Sequence, residues 1–226
     1  MLPETQTLVV FLKAAPLAFI AFLPVINPIG TAFILLGLTR EADAKTRRQL
    51  ARRIAQNTVL FLAVILMGGK FLLSFFGITV PIVQAAGGLV LAAMGWNLLN
   101  RNDFDDKTHE PAAEAGSASY WERAFYPFTF PITAGPGCVA VALTLSAHTS
   151  RGSWEATAAG QAGAVAGIAA DAVLVYVCFA YAQFVAARLG KTGVNVMMRL
   201  ISFIVVCIGA EIGWTGVRAL LQQVVH

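Results

Sequence analysis

The chain reads as an all-α integral membrane protein, with six transmembrane spans in two inverted three-helix repeats whose first and fourth spans are discontinuous. Three observations carry that expectation. Of 226 residues, 58% are hydrophobic and 12% charged, about half the charged share of an ordinary soluble domain. The apolar residues are grouped in runs close to the ~20 residues needed to cross hydrocarbon. A proline-glycine motif interrupts the first run, Pro24-Val25-Ile26-Asn27-Pro28-Ile29-Gly30, and returns in the fourth at an offset of 107 residues, Pro131-Ile132-Thr133-Ala134-Gly135-Pro136-Gly137.

Residues 1–13 are short and mixed. They carry Glu4 rather than a basic leader, so the first apolar run is expected to stay in the mature chain. The first span covers about 14–39. Within it Pro28 has no amide hydrogen and pushes Asn27 out of the helical region, which opens the hydrogen-bond ladder. The same letters start a new helix, with Asn27 as N-cap and Pro28 in the first helical position. From Arg40 to Arg53 the chain is basic and reads as a cytoplasmic connection; topology alone accounts for that charge, without an anionic-lipid contact.

A second span covers about 54–76, and Phe76-Gly77-Ile78-Thr79-Val80-Pro81 turns tightly into a third at about 81–100. That span contains Gly87, Gly88, Ala92 and Gly95, which let helices approach closely. Residues 101–120 are polar, acidic and rich in Ala, Gly and Ser, a flexible linker between a first repeat at 1–100 and a second at 121–226. The fourth span, about 121–147, carries the second break, with Gly135 as cap and Pro136 as first helical residue. The fifth, about 157–187, holds the close-packing pair Gly163 and Gly167, and a turn at 188–191 leads to the sixth, about 196–217.

Interrupted helices deep in a bilayer are tolerated where protein or a water-lined cavity covers the freed backbone, so the two breaks mark a site. The helices starting at Pro28 and Pro136 present amides and a positive dipole end, suited to a carboxylate. Carbonyls freed near Val25-Ile26 and Ile132-Thr133 suit a cation or an ammonium group. Together they fit a zwitterion. The candidate substrate-binding residues are Asn27, Pro28, Gly30, Thr31, Thr133, Gly135, Pro136 and Gly137. The plainer readings stand beside these: prolines that only kink, Asn27 that only caps, and threonines bonded back to their own helices.

Asp171 lies mid-span, where a carboxylate costs a few kcal/mol. It is either a coupling site for Na+ or H+ or a protonated structural group. Glu211 and its alignment mate Asn97 read as interfacial. Cys138, Cys178 and Cys207 sit in apolar runs without paired spacing, and Cys138 aligns with Thr31, so neither disulfide, dithiol nor metal site is expected. No triad, phosphate loop or cofactor motif is present in the sequence, which argues against an enzyme, and the net charge of +4 reports orientation rather than nucleic-acid binding.

The chain resembles the MarC family of bacterial inner-membrane proteins. The resemblance rests on Asn27-Pro28-Ile29-Gly30 with its apolar run ending Gly37-Leu38-Thr39, on Phe76-Gly77-Ile78 leading to Ala85-Ala86-Gly87-Gly88, on Thr133-Ala134-Gly135-Pro136-Gly137, and on Gly193-Val194-Asn195-Val196 through Arg199. It covers nearly the whole chain apart from 101–120. It implies six spans, an inner-membrane location and kinship with LysE-type exporters, and one archaeal relative is described as a sodium-coupled neutral amino acid transporter. Many members carry Asp where this chain has Asn27, and Asp171 matches no motif of the resemblance.

The expected function is secondary transport of a small zwitterion, a neutral amino acid, by alternating access at a midplane site. The alternative is a non-transporting scaffold or stress-linked interaction protein; a redox conduit is a third reading, disfavoured by the single cysteine at the break. Glycine faces serve contacts between copies as readily as within one chain, so a homo-oligomer is left open. Twelve basic residues, Arg40 through Arg53 with Arg101, Lys107, Arg123, Arg188, Lys191 and Arg199, fall on one side against Lys13, Lys70, Arg151 and Arg218 on the other. That places the first set in the cytoplasm and both termini in the periplasm. A reporter fused after residue 110 is expected to show a cytoplasmic signal, and one fused after His226 a periplasmic signal.

Overall fold

Two prolines, at 28 and 136, each open a helix, and the rest of the architecture is built around those starts. A computed structural model describes residues 3–39, 41–100, 120–149 and 153–224. The linker expected at 101–120 lies outside the described residues apart from Tyr120. The order is α1 Pro3–Ile26, α2 Pro28–Leu38, α3 Ala44–Phe76, α4 Val80–Leu99, a short tight turn Glu122–Ala124 running into a wide helix Phe125–Thr133, α5 Pro136–Thr149 and α6 Trp154–Val224. Strands are absent among the described residues.

Local chemistry explains most boundaries. The Asp43 carboxylate accepts from the Thr46 amide at 3.0 Å and caps α3. Those bonds to Thr46 hold its carboxyl below the usual carboxylate range. At the other end Gly77 takes the left-handed conformation at φ 65°, and Ile78 N–H reaches back to Leu73 O at 2.9 Å. In the wide helix Tyr126 and Phe130 leave helical geometry because each precedes a proline. Threonines fill the gaps this leaves: Thr129 Oγ1 donates to Ala124 O and Thr133 Oγ1 to Phe128 O, both at 2.7 Å. α6 bends at Gly190, φ 66° and ψ 175°, so its two arms reach different partners.

Among the described residues five helices are long and apolar enough to cross a membrane, Gln6–Ile26, Ala44–Gly69, Val80–Leu99, Trp154–Gly190 and Asn195–Gln222. A sixth crossing results when Glu122–Thr133 and Pro136–Ala147, bent by 73°, count as one. Two boundaries differ from the sequence reading. α1 starts at Pro3, so residues 3–13 are helical and a crossing length of 21 residues precedes the Asn27 break. α3 starts at Ala44, so the basic stretch after Asp43 forms its first turns rather than a separate connection.

Small residues set the packing. Gly163 lies against Phe11 and Ala14, and Gly167 against Ala15, Ala18 and Phe19, so α1 and the first arm of α6 run parallel in close contact. A Cβ on Gly167 would stand 2.8 Å from both Ala18 Cβ and the Phe19 amide. α4 meets the second arm of α6 in the opposite sense: Ala85 faces Gly216, Gly88 faces Gly213 and Gly209, and Gly95 faces Val206 and Ser202. A Cβ on Gly88 would lie 2.5 Å from Gly213 Cα and 2.6 Å from Gly209 O. Backbone atoms and the short side chains of alanine and valine, not flexible side-chain ends, occupy these places, so the helices must part to admit a methyl group.

Gly88→Ala and Gly167→Ala are therefore expected to destabilise the protein by roughly 1–3 kcal/mol, the usual cost of overpacking. Gly68, which has open space around it, should accept alanine without loss. Thermal unfolding in detergent of the three variants checks this.

Candidate functional site

At the first break α1 ends cleanly, because Asn27 N–H still donates to Leu23 O at 3.0 Å. Asn27 then turns left-handed, φ 48° and ψ 64°, a conformation asparagine tolerates better than other side-chain-bearing residues. Its Oδ1 accepts from Gly30 N–H at 3.0 Å, and its carbonyl accepts from Thr31 N–H at 2.9 Å. Thr31 Oγ1 reaches across the break to Ile26 O at 2.8 Å. A side chain at Gly30 would stand 2.8 Å from Asn27 Cγ, so the cap requires glycine there.

The second break is built differently. Ala134 leaves helical geometry, φ −113° and ψ 76°, while its N–H holds Thr129 O at 2.8 Å. Gly135 O accepts from Cys138 N–H at 2.9 Å as α5 begins at Pro136. Cys138 Sγ lies 4.0 Å from Thr133 O. This repeats the contact of Thr31 with Ile26, residue for residue, at the 107 offset. The helix starts themselves, Pro28 and Pro136, are one residue out of that register.

The breaks are neighbours: a Cβ on Gly137 would lie 3.1 Å from Val25 Cγ1 and 2.7 Å from Leu91 Cδ1. Pro28, Gly30, Thr31, Thr133, Gly135 and Gly137 are buried, Asn27 is half-buried and Pro136 is exposed. The polar main chain is less open than the sequence suggests. The Gly30 and Thr31 amides are taken by Asn27, the Ile26 carbonyl by Thr31, and both threonine hydroxyls are bonded back, Thr31 to Ile26 and Thr133 to Phe128. The expected free amides and carbonyls are thus largely satisfied within the breaks, and Val25 and Leu91 side chains fill the space over Gly137.

Asp171 supplies the polarity that the breaks conceal. It takes its place in the buried stripe of α6 formed by Ala164, Ile168, Val175, Phe179 and Ala182, is 0% exposed, and neither carboxylate oxygen has a partner among the described residues. The parallel register puts it one turn beyond Gly167, level with Phe19 to Phe22 of α1. It lies within electrostatic range of Cys138 at the start of α5. A buried carboxylate left unpaired is costly, and packing alone does not repay that cost. Glu211 and Asn97 are exposed on the outer faces of their helices, away from this cluster. No group of three or more potential metal-ligating side chains occurs among the described residues.

Sequence reasoning missed Arg47. It is 4% exposed, and its guanidinium donates to Gln183 Oε1 at 2.7 Å, to Ala42 O at 3.0 Å and to Thr39 O at 3.5 Å. The residue ties the α2–α3 connection to the first arm of α6. Its sequence signal, one arginine among six basic residues, is hidden in the cluster.

Comparison with known proteins bears on the whole of this arrangement. A family model described as MarC family integral membrane protein matches residues 12–221. The UPF0056 membrane protein YvbG of Bacillus subtilis is 30% identical over 203 residues, covering 89% of this chain and 93% of its own. The UPF0056 inner membrane protein MarC of Salmonella typhimurium is 28% identical over 216 residues, 93% of this chain and 96% of its own. Its counterpart in Salmonella arizonae is 27% identical over 220 residues, with the same coverage of 93% and 96%. No solved structure matches. Two adjacent helix breaks thus stand within a match that runs through all the spans, and the chain belongs to the MarC family of integral membrane proteins.

Proposed function

We propose that the protein is a secondary transporter of a small zwitterion, of the neutral amino acid class, working by alternating access at the paired breaks in the inner membrane. It is not an enzyme on this reading. The observation that carries the proposal is the meeting of two interrupted helices, Val25 against Gly137, with a fully buried carboxylate, Asp171, within electrostatic range of Cys138 at the second break. Broken helices from two halves that meet inside the bilayer form the usual binding place of such transporters.

The Asn27 cap supplies a mechanism for recognition. Its Oδ1 holds the Gly30 amide at the positive end of α2, and a substrate carboxylate offers the same acceptor chemistry with a full charge. Substrate binding then exchanges a neutral hydrogen bond for a charge-assisted one, which offsets part of the cost of desolvating the carboxylate. Asp171 is the coupling residue in this scheme, holding H+ or Na+ in one orientation and releasing it in the other. The apolar fill of Val25 and Leu91 over Gly137 favours a second reading, a non-transporting scaffold that keeps the breaks as inherited architecture.

Protein in liposomes is expected to exchange a labelled neutral amino acid under an imposed Na+ or H+ gradient. Asn27→Ala should tighten substrate binding about fivefold, because the internal competitor for the Gly30 amide is gone. Asp171→Asn should remove dependence on the gradient while exchange persists. Absence of flux for every neutral amino acid, under gradients of either sign, selects the scaffold. Gly30→Ala is expected to displace the cap and to destabilise the fold by roughly 1–3 kcal/mol, read by thermal unfolding.

A further inference from the structure

Among the described residues, Arg47 is a charge buried without a counter-ion. Its partners, Gln183 and the carbonyls of Ala42 and Thr39, are all uncharged, and its Nε has none. The nearby acids are turned elsewhere: Asp43 caps α3 through Thr46, and Glu41 is exposed. Burial of a guanidinium on neutral partners alone leaves much of its desolvation cost standing.

Arg47 also lines a cavity of about 570 Å³ between the first turns of α3 and the end of the first arm of α6. Arg48 stands beside it, its guanidinium 5.6 Å from the Tyr181 ring centroid. Tyr181 and Phe184, at the apolar flank of the same cavity, are 50% and 58% exposed. One buried guanidinium at the base and one exposed at the rim, with aromatic surface beside them, match a phosphate group that carries acyl chains. The arginine-rich end of the bundle is where such a headgroup lies.

We propose that this cavity is an anion site for a phosphate group, with Arg47 at its base and Arg48 at its rim, and that an anionic phospholipid headgroup fills it. The occupant supplies the counter-charge Arg47 lacks and bridges α3 to α6. The site is separate from the paired breaks and does not depend on transport.

The test is thermal unfolding of the purified protein in neutral detergent with added phosphatidylglycerol, phosphatidylcholine or inorganic phosphate. Phosphatidylglycerol is expected to raise the Tm where phosphatidylcholine does not. Arg48→Gln should weaken that response about fivefold, the worth of one arginine at an anionic surface, and Arg47→Gln should abolish it. Arg53→Gln, an exposed arginine of the same helix outside the cavity lining, should leave the response unchanged. A rise with inorganic phosphate that matches the lipid, and is lost in Arg48→Gln, keeps the anion site and assigns it to a soluble phosphate. Equal responses to the two lipids with none to phosphate, or equal losses in Arg53→Gln and Arg48→Gln, overturn the proposal. Should Arg47→Gln fail to fold, the contrast between Arg48→Gln and Arg53→Gln decides the matter.

Discussion

Hydrocarbon offers no hydrogen bonds, so a helix may be interrupted within it only if the chain itself satisfies the groups set free. The protein meets this requirement with short side chains. Asn27 caps the second helix, Thr31 reaches back over the first break, and Thr129 and Thr133 close the widened turns ahead of the second. These few bonds satisfy groups set free at the two breaks, where α2 and α5 start at Pro28 and Pro136.

Around the breaks the protein uses small residues to bring backbones together. α1 lies parallel to the first arm of α6 through Gly163 and Gly167, and α4 lies antiparallel to the second arm through Gly88, Gly209 and Gly213. Lipid supplies no hydrophobic drive for such contacts, so their strength comes from close packing. Against this background of satisfied polar groups and tight seams, the Asp171 carboxyl and the Arg47 guanidinium stand out as buried groups incompletely paired among the described residues.

Much of this was legible in the residues, where the chemistry is local. An asparagine before a proline, a glycine two residues on, and a second proline after a glycine each dictate a cap or a start, and Asn27, Pro28, Gly135 and Pro136 take those places. The runs of apolar residues separate the crossings in the same local way. What escaped the sequence depends on distant neighbours. Arg47 resembles its exposed neighbours until Gln183, 136 positions away, is seen beside it. Likewise, the free amides expected at the breaks are taken by Asn27, whose side chain can cap or stand free with equal ease from the letters alone. The early start of α1 at Pro3 and the start of α3 at Ala44 were readable from Pro3 and Asp43 as helix-opening residues, but polar composition masked them.

The first arm of α6 carries the glycines that seat α1, the lone carboxylate and the glutamine that grips Arg47, all on one uninterrupted stretch from Trp154 to Gly190. A stiff rod transmits what it feels at one point to every other. Any slide or roll of this arm along α1 therefore moves the Asp171 carboxyl and strains the Arg47 clasp in the same stroke, so the interior of the bundle and its arginine-rich end are mechanically geared through a single helix.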